Sequence, residues 1–356
     1  VKTRAAIIKE SGGPMRVEEV DVAEPGSGEV RVRVEACGIC RSDLHAIDGN
    51  EDVVFPAVLG HEAAGVVDAC GPEVVSLDEG DRVVLSWTPA CGQCASCMRA
   101  QPHLCAGIRM SAGDGGPLTW NGRNLDRFMG LGAFSEHVVV PERMAIAIRG
   151  TVPAAHACLI GCGVMTGFGA ATKTAGVRRG ESVAVIGCGG VGLAAVQGAR
   201  IARAETVFAI DPLPERRELA LRLGATDGFD SAGAVAAVTA DAGGVDVAIE
   251  CVGRTQTMED AFAVLRPGGR AVVVGLPESG ARLALDPLGL LVEKSLTGSM
   301  YGTADPKRDF PELVALYDRG SLDLAALVAG ELPLDEINHG IERSRRGPSG
   351  RIVITF

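Results

Sequence analysis

The stretch SVAVIGCGGVGLAAVQGARIA, residues 182–202, runs from a short apolar segment suited to a buried strand, through a glycine-rich turn, into a helical pattern. Gly187, Gly189 and Gly192 stand in the spacing G-x-G-x-x-G. That spacing is a dinucleotide fingerprint when, as here, a strand precedes it and a helix follows. Glycines permit the tight bend and let the backbone approach a pyrophosphate, whose charge the helix N-terminus stabilises. Gly190 and Val191 open the helix and complete the expected phosphate-binding turn. The next apolar strand, TVFAID, ends at Asp211, where a carboxylate can accept hydrogen bonds from ribose hydroxyls and repel a 2′-phosphate. No arginine follows immediately. Arg216 and Arg217 lie about a helical turn on, so NAD is expected rather than NADP, with Arg216 counted among the coenzyme-binding residues.

Working outward, the same rhythm recurs. From about Val164 to Met300 the apolar strands SVAVIG, TVFAID, VDVAIEC and RAVVVGL alternate with helical segments, which implies βαβ units and a doubly wound parallel sheet. The first hundred residues differ. There RAAIIK, MRVEEV, EVRVRVEACG, HEAAGVVDAC and DRVVLSW alternate polar and apolar residues between Gly and Pro, the pattern of antiparallel strands. The chain finishes on one more strand, RIVITF. At 356 residues it exceeds the roughly 250–300 at which one core stops growing. The expected fold is therefore α/β in two domains. A β-rich domain spans residues 1–163 and 302–356, and a parallel-sheet nucleotide domain over 164–301 is inserted in it.

Composition excludes several classes. With 47% hydrophobic and 22% charged residues the chain reads as globular, and no apolar run reaches the roughly 18 residues of a membrane span. A formal net charge of -11 argues against a nucleic-acid partner, because phosphate binding needs a basic surface. The segment VKTRAAIIKE lacks the apolar core of a secretory signal. A cytoplasmic location is expected, with the eleven cysteines reduced. Cys37, Cys70, Cys158, Cys188 and Cys251 lie among small apolar neighbours and read as core packing. His137, His156 and His339 read as structural, and His103 as a surface residue.

The other cysteines carry chemistry. CGQCASCMRAQPHLC places Cys91, Cys94, Cys97 and Cys105 in the spacing C-x2-C-x2-C-x7-C. Four thiolates on one short loop suit a closed tetrahedral site, structural zinc, with an iron–sulfur cluster as the other option. Elsewhere CGICRSDLH contains Cys40, LGHEAAG contains His61, and LIGCGVMTGFGA contains Cys162. Two cysteines and a histidine form a three-ligand set of the kind that leaves a fourth position open for substrate. Spacing alone does not unite these three.

Taken together, these motifs resemble the zinc-dependent alcohol dehydrogenases of the medium-chain dehydrogenase/reductase superfamily, near the thiol-dependent formaldehyde dehydrogenase branch, from the first strand to RIVITF. The resemblance implies a GroES-like catalytic domain and a Rossmann domain. It makes Cys40, His61 and Cys162 the ligands of a catalytic zinc and the four clustered cysteines a structural zinc lobe, two zinc ions per chain. The implied chemistry interconverts an alcohol and its aldehyde or ketone, with hydride passing to NAD from an alkoxide on zinc. Ser42 and His45 resemble the family's proton relay, and histidine suits the exit because it titrates near neutral pH. Asp43 matches the carboxylate that orients the zinc-ligand histidine. Glu62 matches a glutamate close behind the metal. Arg41 and Arg351 match positions that contact the coenzyme pyrophosphate, and Thr166 one that packs behind the nicotinamide.

Three function classes follow. The first is a dehydrogenase of simple alcohols and aldehydes. In the second, formaldehyde is oxidised as its S-hydroxymethyl adduct with mycothiol or glutathione, and Arg109 matches the arginine that holds the adduct's carboxylate. The third is a non-catalytic relative, which the complete ligand, relay and cofactor sets argue against. CRSD, where the thiol-linked branch carries CHTD, favours the first. Trp87, in LSWTPACGQC, matches a large apolar residue beside the substrate and narrows the expected pocket toward primary alcohols. The long loop of residues 106–133 is found in the dimeric branch, so a homodimer is expected.

Overall fold

The computed structural model describes residues 1–108, 116–231 and 233–356. These form two compact units, Val1–Cys162 with Asp305–Phe356, and Gly163–Ala304.

The second unit is built on six parallel strands in the order Asp227–Phe229, Thr206–Ile210, Ser182–Ile186, Val245–Glu250, Leu265–Val273 and Ser295–Gly298. Fully apolar runs such as SVAVI and VDVAI suit parallel strands, whose two faces are both covered. The central strand Ser182–Ile186 pairs with Thr206–Ile210 on one side and Val245–Glu250 on the other, so Ile186 faces both Ile210 and Glu250 in register. The order in which the chain adds strands switches from one side of Ser182–Ile186 to the other there. Helices Gly190–Ile201, Pro214–Leu223, Ala234–Ala242 and Thr255–Ala263 supply the crossovers. Ala184, Ile186, Ile210, Val245, Ala248, Phe262 and Leu265 pack into one core, and truncating a side chain such as Phe262 to alanine would cost about 3–5 kcal/mol.

In the first unit a seven-stranded sheet runs Ala145–Ala147, Arg82–Leu85, Glu62–Cys70, Glu29–Gly38, Arg351–Thr355 and Val328–Pro333, with His137–Pro141 also on Glu29–Gly38. Its pairings are antiparallel except that of Val328–Pro333 with Arg351–Thr355. The last strand docks on one of the first, with Val353 opposite Gly38 and Ile354 opposite Cys37. A second, six-stranded sheet contains Lys2–Ile8 and Arg16–Val22, paired antiparallel. The α/β class and the β-rich first half expected from periodicity are thus the observed ones.

Candidate active site

Three loops of the first unit converge. Cys40 follows the strand Glu29–Gly38 and caps the helix Arg41–Ile47, His61 directly precedes the strand Glu62–Cys70, and Cys162 follows the short 3-10 turn Cys158–Gly161. Their ligand atoms, together with one carboxylate oxygen of Glu62, all lie within 4.8 Å of one another. Cys40, His61 and Glu62 are buried.

Asp43 organises this cluster from behind. Its Oδ2 accepts from the Cys40 N–H (2.8 Å) and its Oδ1 from the Gly60 N–H (3.0 Å), while His61 Nδ1 donates to Oδ1 (3.3 Å). One carboxylate therefore closes the first turn of its own helix and fixes the imidazole tautomer. Nε2 of His61 is buried and has no hydrogen-bond partner among the described residues. Phe128 meets the ring edge-on at 5.6 Å between centroids.

The titratable groups here act on one another, and the hydrogen bond that lowers Cys40 raises Cys162 well above the ordinary thiol range, with burial adding to it. A hydrogen bond with Cys162 holds Cys40 well below the ordinary thiol range; burial opposes this, and Arg351 and His61 reinforce it. Burial opposes charge on His61, yet Asp43 and Cys40 outweigh it and raise its pKa well above the usual value. Burial also pushes the Glu62 carboxyl up to about 7, against the pull of Arg351. An orphaned imidazole nitrogen, two thiols and a carboxylate around one point fit a zinc ion by donor chemistry.

Arg351, on the final strand, donates through Nη2 to Cys40 Sγ (3.4 Å) and to Glu62 Oε1 (3.2 Å). It thus lies within the ligand cluster, a placement its sequence position did not reveal. Arg41 is exposed at the first position of its helix. Ser42 and His45, three residues apart on the same helix, are half-buried on one face, with Ser42 Oγ 3.9 Å from Cys40 Sγ. Trp87 is buried just after the strand Arg82–Leu85. Arg109 lies outside the described residues.

The second cluster joins Cys91, Cys94, Cys97 and Cys105, whose sulfurs also lie within 4.8 Å of one another. Backbone N–H groups point at these sulfurs: those of Cys91 and Gly107 each reach Cys105 Sγ at 3.4 Å. Those of Cys97 and Ala106 bring Cys94 down to about 6, a thiol ready to ligate as thiolate. Four sulfurs in this cradle fit a closed zinc site. His103 is buried, not on the surface as its sequence context suggested.

The second unit holds the glycine turn. Gly187 has φ +90°, a left-handed conformation that favours glycine, and a Cβ on Gly192 would collide with the Gly187 carbonyl. A Cβ on Gly189 would meet nothing within 4 Å, and the helix Gly190–Ile201 that follows has no side-chain cap, which leaves its N–H groups for an anion. Gly190 is buried and Val191 half-buried in the first turn of that helix, and Thr166 is half-buried in the helix Gly163–Gly169. Asp211 is only 1% exposed. Its Oδ2 accepts from the Cys188 N–H (2.8 Å) and from Arg216 Nη1 (3.3 Å), and its Oδ1 from the Leu213 N–H (2.9 Å). Arg217 donates to its carbonyl at 2.6 Å. Both arginines that the sequence set a helical turn away therefore fold back onto Asp211.

With this geometry in place, known proteins give the class. A profile of zinc-binding dehydrogenases matches residues 190–319, and one of the alcohol dehydrogenase GroES-like domain matches residues 26–150. The chain belongs to the zinc-dependent alcohol dehydrogenase family of the medium-chain dehydrogenase/reductase superfamily and is an oxidoreductase. It is 37% identical over 369 residues to an S-(hydroxymethyl)glutathione dehydrogenase from Synechocystis sp., with 100% of both chains covered. Among solved structures, it resembles an alcohol dehydrogenase zinc-binding domain protein from Burkholderia ambifaria (TM-score 0.96, 35% identity) and a benzyl alcohol dehydrogenase from Acinetobacter calcoaceticus (TM-score 0.95, 32% identity). Each likeness covers 100% of this chain and 99% of the other. Among the described residues no single helix is long and apolar enough to cross a membrane.

Proposed function

We propose that the chain is an NAD-dependent dehydrogenase of simple alcohols and aldehydes that carries two zinc ions. The observation that carries this reading is the convergence of Cys40, His61 and Cys162 around the unpartnered His61 Nε2. The first unit is read as the catalytic domain and the second as the coenzyme domain. Cys40, His61 and Cys162 would hold the catalytic ion, and Cys91, Cys94, Cys97 and Cys105 the structural one.

When bound, the catalytic zinc supplies Lewis acidity toward the alcohol oxygen and NAD accepts the hydride. The chain's own residues do the rest. Asp43 holds His61 with Nε2 directed at the ligands. Arg351 balances the negative charge of Cys40 and Glu62. Ser42 Oγ receives the proton leaving the substrate hydroxyl, and His45 at the end of the same helix passes it toward solvent. Trp87 closes one side of the pocket and favours primary alcohols. Asp211 and the glycine turn bind the coenzyme with its free ribose hydroxyls, with Thr166 and Arg216 contributing around it.

A homodimer is part of the reading. Leu283, Leu288, Leu290, Leu291, Val292 and Met300 are all exposed and crowd one short span of chain, which includes the edge strand Ser295–Gly298. An apolar patch on an unpaired edge suits a second copy. Eleven free thiols suit a reducing, cytoplasmic location.

The Synechocystis relative's name favours a second reading, oxidation of a thiol–formaldehyde adduct with glutathione or mycothiol. One experiment separates the two: NAD reduction across a panel of primary and secondary alcohols, then with formaldehyde alone and with formaldehyde plus each thiol. Turnover of primary alcohols without thiol supports the first reading. Activity confined to formaldehyde plus one thiol establishes the second in its place.

A further inference from the structure

In the second unit, the carboxyl ends of Ser182–Ile186 and Val245–Glu250 flank the point where the sheet order reverses, the place where open parallel sheets take their ligands. The glycine turn forms one lip of that crevice. The other begins at Glu250, an acid that ends the otherwise apolar run VDVAI and is fully buried. Among the described residues no cation pairs with it. A buried carboxylate is costly to keep unless its oxygens are used as acceptors.

Those of Glu250 are used unevenly. Oε1 accepts from the Val252 N–H, the Gly253 N–H and Thr257 Oγ1, each at 2.8 Å, whereas Oε2 is buried with no partner. The Glu250 carbonyl also accepts from the Val274 N–H (2.8 Å) and the Gly275 N–H (3.1 Å). One residue thus ties the turn after its own strand to the helix Thr255–Ala263 and to the end of the strand Leu265–Val273. The packing leaves no slack: a Cβ on Gly187 would strike the Val252 side chain, one on Gly253 the Leu276 carbonyl, and one on Gly275 the Gly253 backbone. What the turn presents is apolar, since Val252 is 42% and Leu276 50% exposed.

We propose that Glu250 is a positioning residue for the coenzyme. By gathering Val252, Gly253 and Thr257 on Oε1, it stands Val252 against the glycine turn, where Val252 and Leu276 form an apolar wall for a flat ring of the nucleotide. This rests on the reading of the second unit as the nicotinamide-coenzyme domain.

The test is calorimetric NAD binding to the zinc-loaded protein, with the melting temperature of the coenzyme-free protein measured in parallel. Glu250→Ala releases the turn, so the binding-competent arrangement is only fractionally populated and Kd rises by about 10-fold or more. Glu250→Gln keeps an acceptor at Oε1 but puts an unsatisfied N–H donor at the partnerless Oε2 position. Its melting temperature falls while Kd stays within about 3-fold of wild type, a separation that a merely structural role does not produce. Should Glu250→Ala not fold, Thr257→Val removes one of the three donors and raises Kd by about 3-fold, and an unchanged Kd there overturns the proposal. So does wild-type affinity in Glu250→Ala, or a loss of affinity that tracks melting temperature across both Glu250 variants. Wild-type protein that binds neither NAD nor NADP removes the coenzyme reading itself; wild-type protein that binds, with an indifferent Glu250→Ala, removes only this inference.

Discussion

At the scale of single residues, the two candidate metal clusters call for opposite outcomes on mutation. Cys162→Ala should abolish turnover and lower metal content by one ion per chain while the protein stays folded, because that cluster lies on a framework already closed by Asp43 and strand pairing. Cys94→Ala should lower Tm by at least about 5 °C, because a closed zinc site contributes folding energy. Metal analysis with thermal melts reads both, and a Cys162→Ala protein that turns over at the wild-type rate sinks the assignment. Asp211 shows where residue-level reading from sequence stops short. As a plain ribose acceptor, its replacement by glycine would simply trade NAD for NADP. In the fold the same carboxylate holds the Cys188 and Leu213 N–H groups and Arg216. Asp211→Gly should therefore weaken both coenzymes, NAD by more than about 10-fold, while the ratio shifts toward NADP because Arg216 loses its partner. Titration with each coenzyme checks this, and undiminished NADP affinity counts against the brace. The four clustered cysteines were legible because their spacing is local, whereas Cys40, His61 and Cys162 were united in sequence only by the family resemblance, and the fold groups both sets. Glu250 was not legible, and Arg351 was read only through the resemblance, as a coenzyme contact; its bonds to Cys40 and Glu62 become visible only when other strands bring those partners to it.

At the scale of elements, periodicity carried most of the reading. Apolar runs became parallel strands and alternating runs antiparallel ones, because burial on two faces or on one imposes those patterns. What periodicity omits is the side chain that ties one element to another. Arg270, on the strand Leu265–Val273, donates through Nη1 and Nη2 to the two oxygens of Glu181 (2.9 and 2.6 Å) and through Nη2 to the Gly176 carbonyl (3.1 Å). This fastens the turn that enters the central strand. Burial works against ionised Glu181, but Arg270 and the Arg178 N–H outweigh it, so its carboxyl titrates below the ordinary 4.5. A carboxylate depressed in the folded state contributes stability that is complete above its unfolded pKa and is lost as pH falls through its folded pKa. Glu181→Gln should cost about 1–2 kcal/mol at neutral pH. Wild type and variant should differ by a constant amount above about pH 5 and converge below it, since wild-type Glu181 then takes up its proton. Melting curves from pH 7 to 3 measure this, and a gap that widens toward low pH contradicts it.

At the scale of the molecule, a chain that leaves its first sheet for a second unit and returns is visible in sequence only as a change of period and a lone final strand. The return is completed by the antiparallel pairing of Arg351–Thr355 with Glu29–Gly38, a contact between positions that no local pattern connects. Assembly beyond one chain is still less legible, because an exposed leucine and a buried one read alike until the fold assigns them. Here the fold leaves Leu288 at 65% and Leu291 at 78% exposure in the short helix Pro287–Leu291, a few residues before the edge strand Ser295–Gly298. A monomer would present these leucines and an open strand edge to water together, a combination that folded chains usually cover. In the proposed homodimer a two-fold axis beside that edge would cover both at once, since the same strand and the same leucines would meet their own copies. Light scattering on the eluting protein should then give twice the 36.6 kDa chain mass. The double change Leu288→Glu and Leu291→Glu sets like charges against each other across the axis and should move the mass to that of one chain, with the zinc content unchanged. A wild-type mass of one chain would refute the homodimer, and a dimeric wild type whose double variant keeps that mass would place the contact on another face.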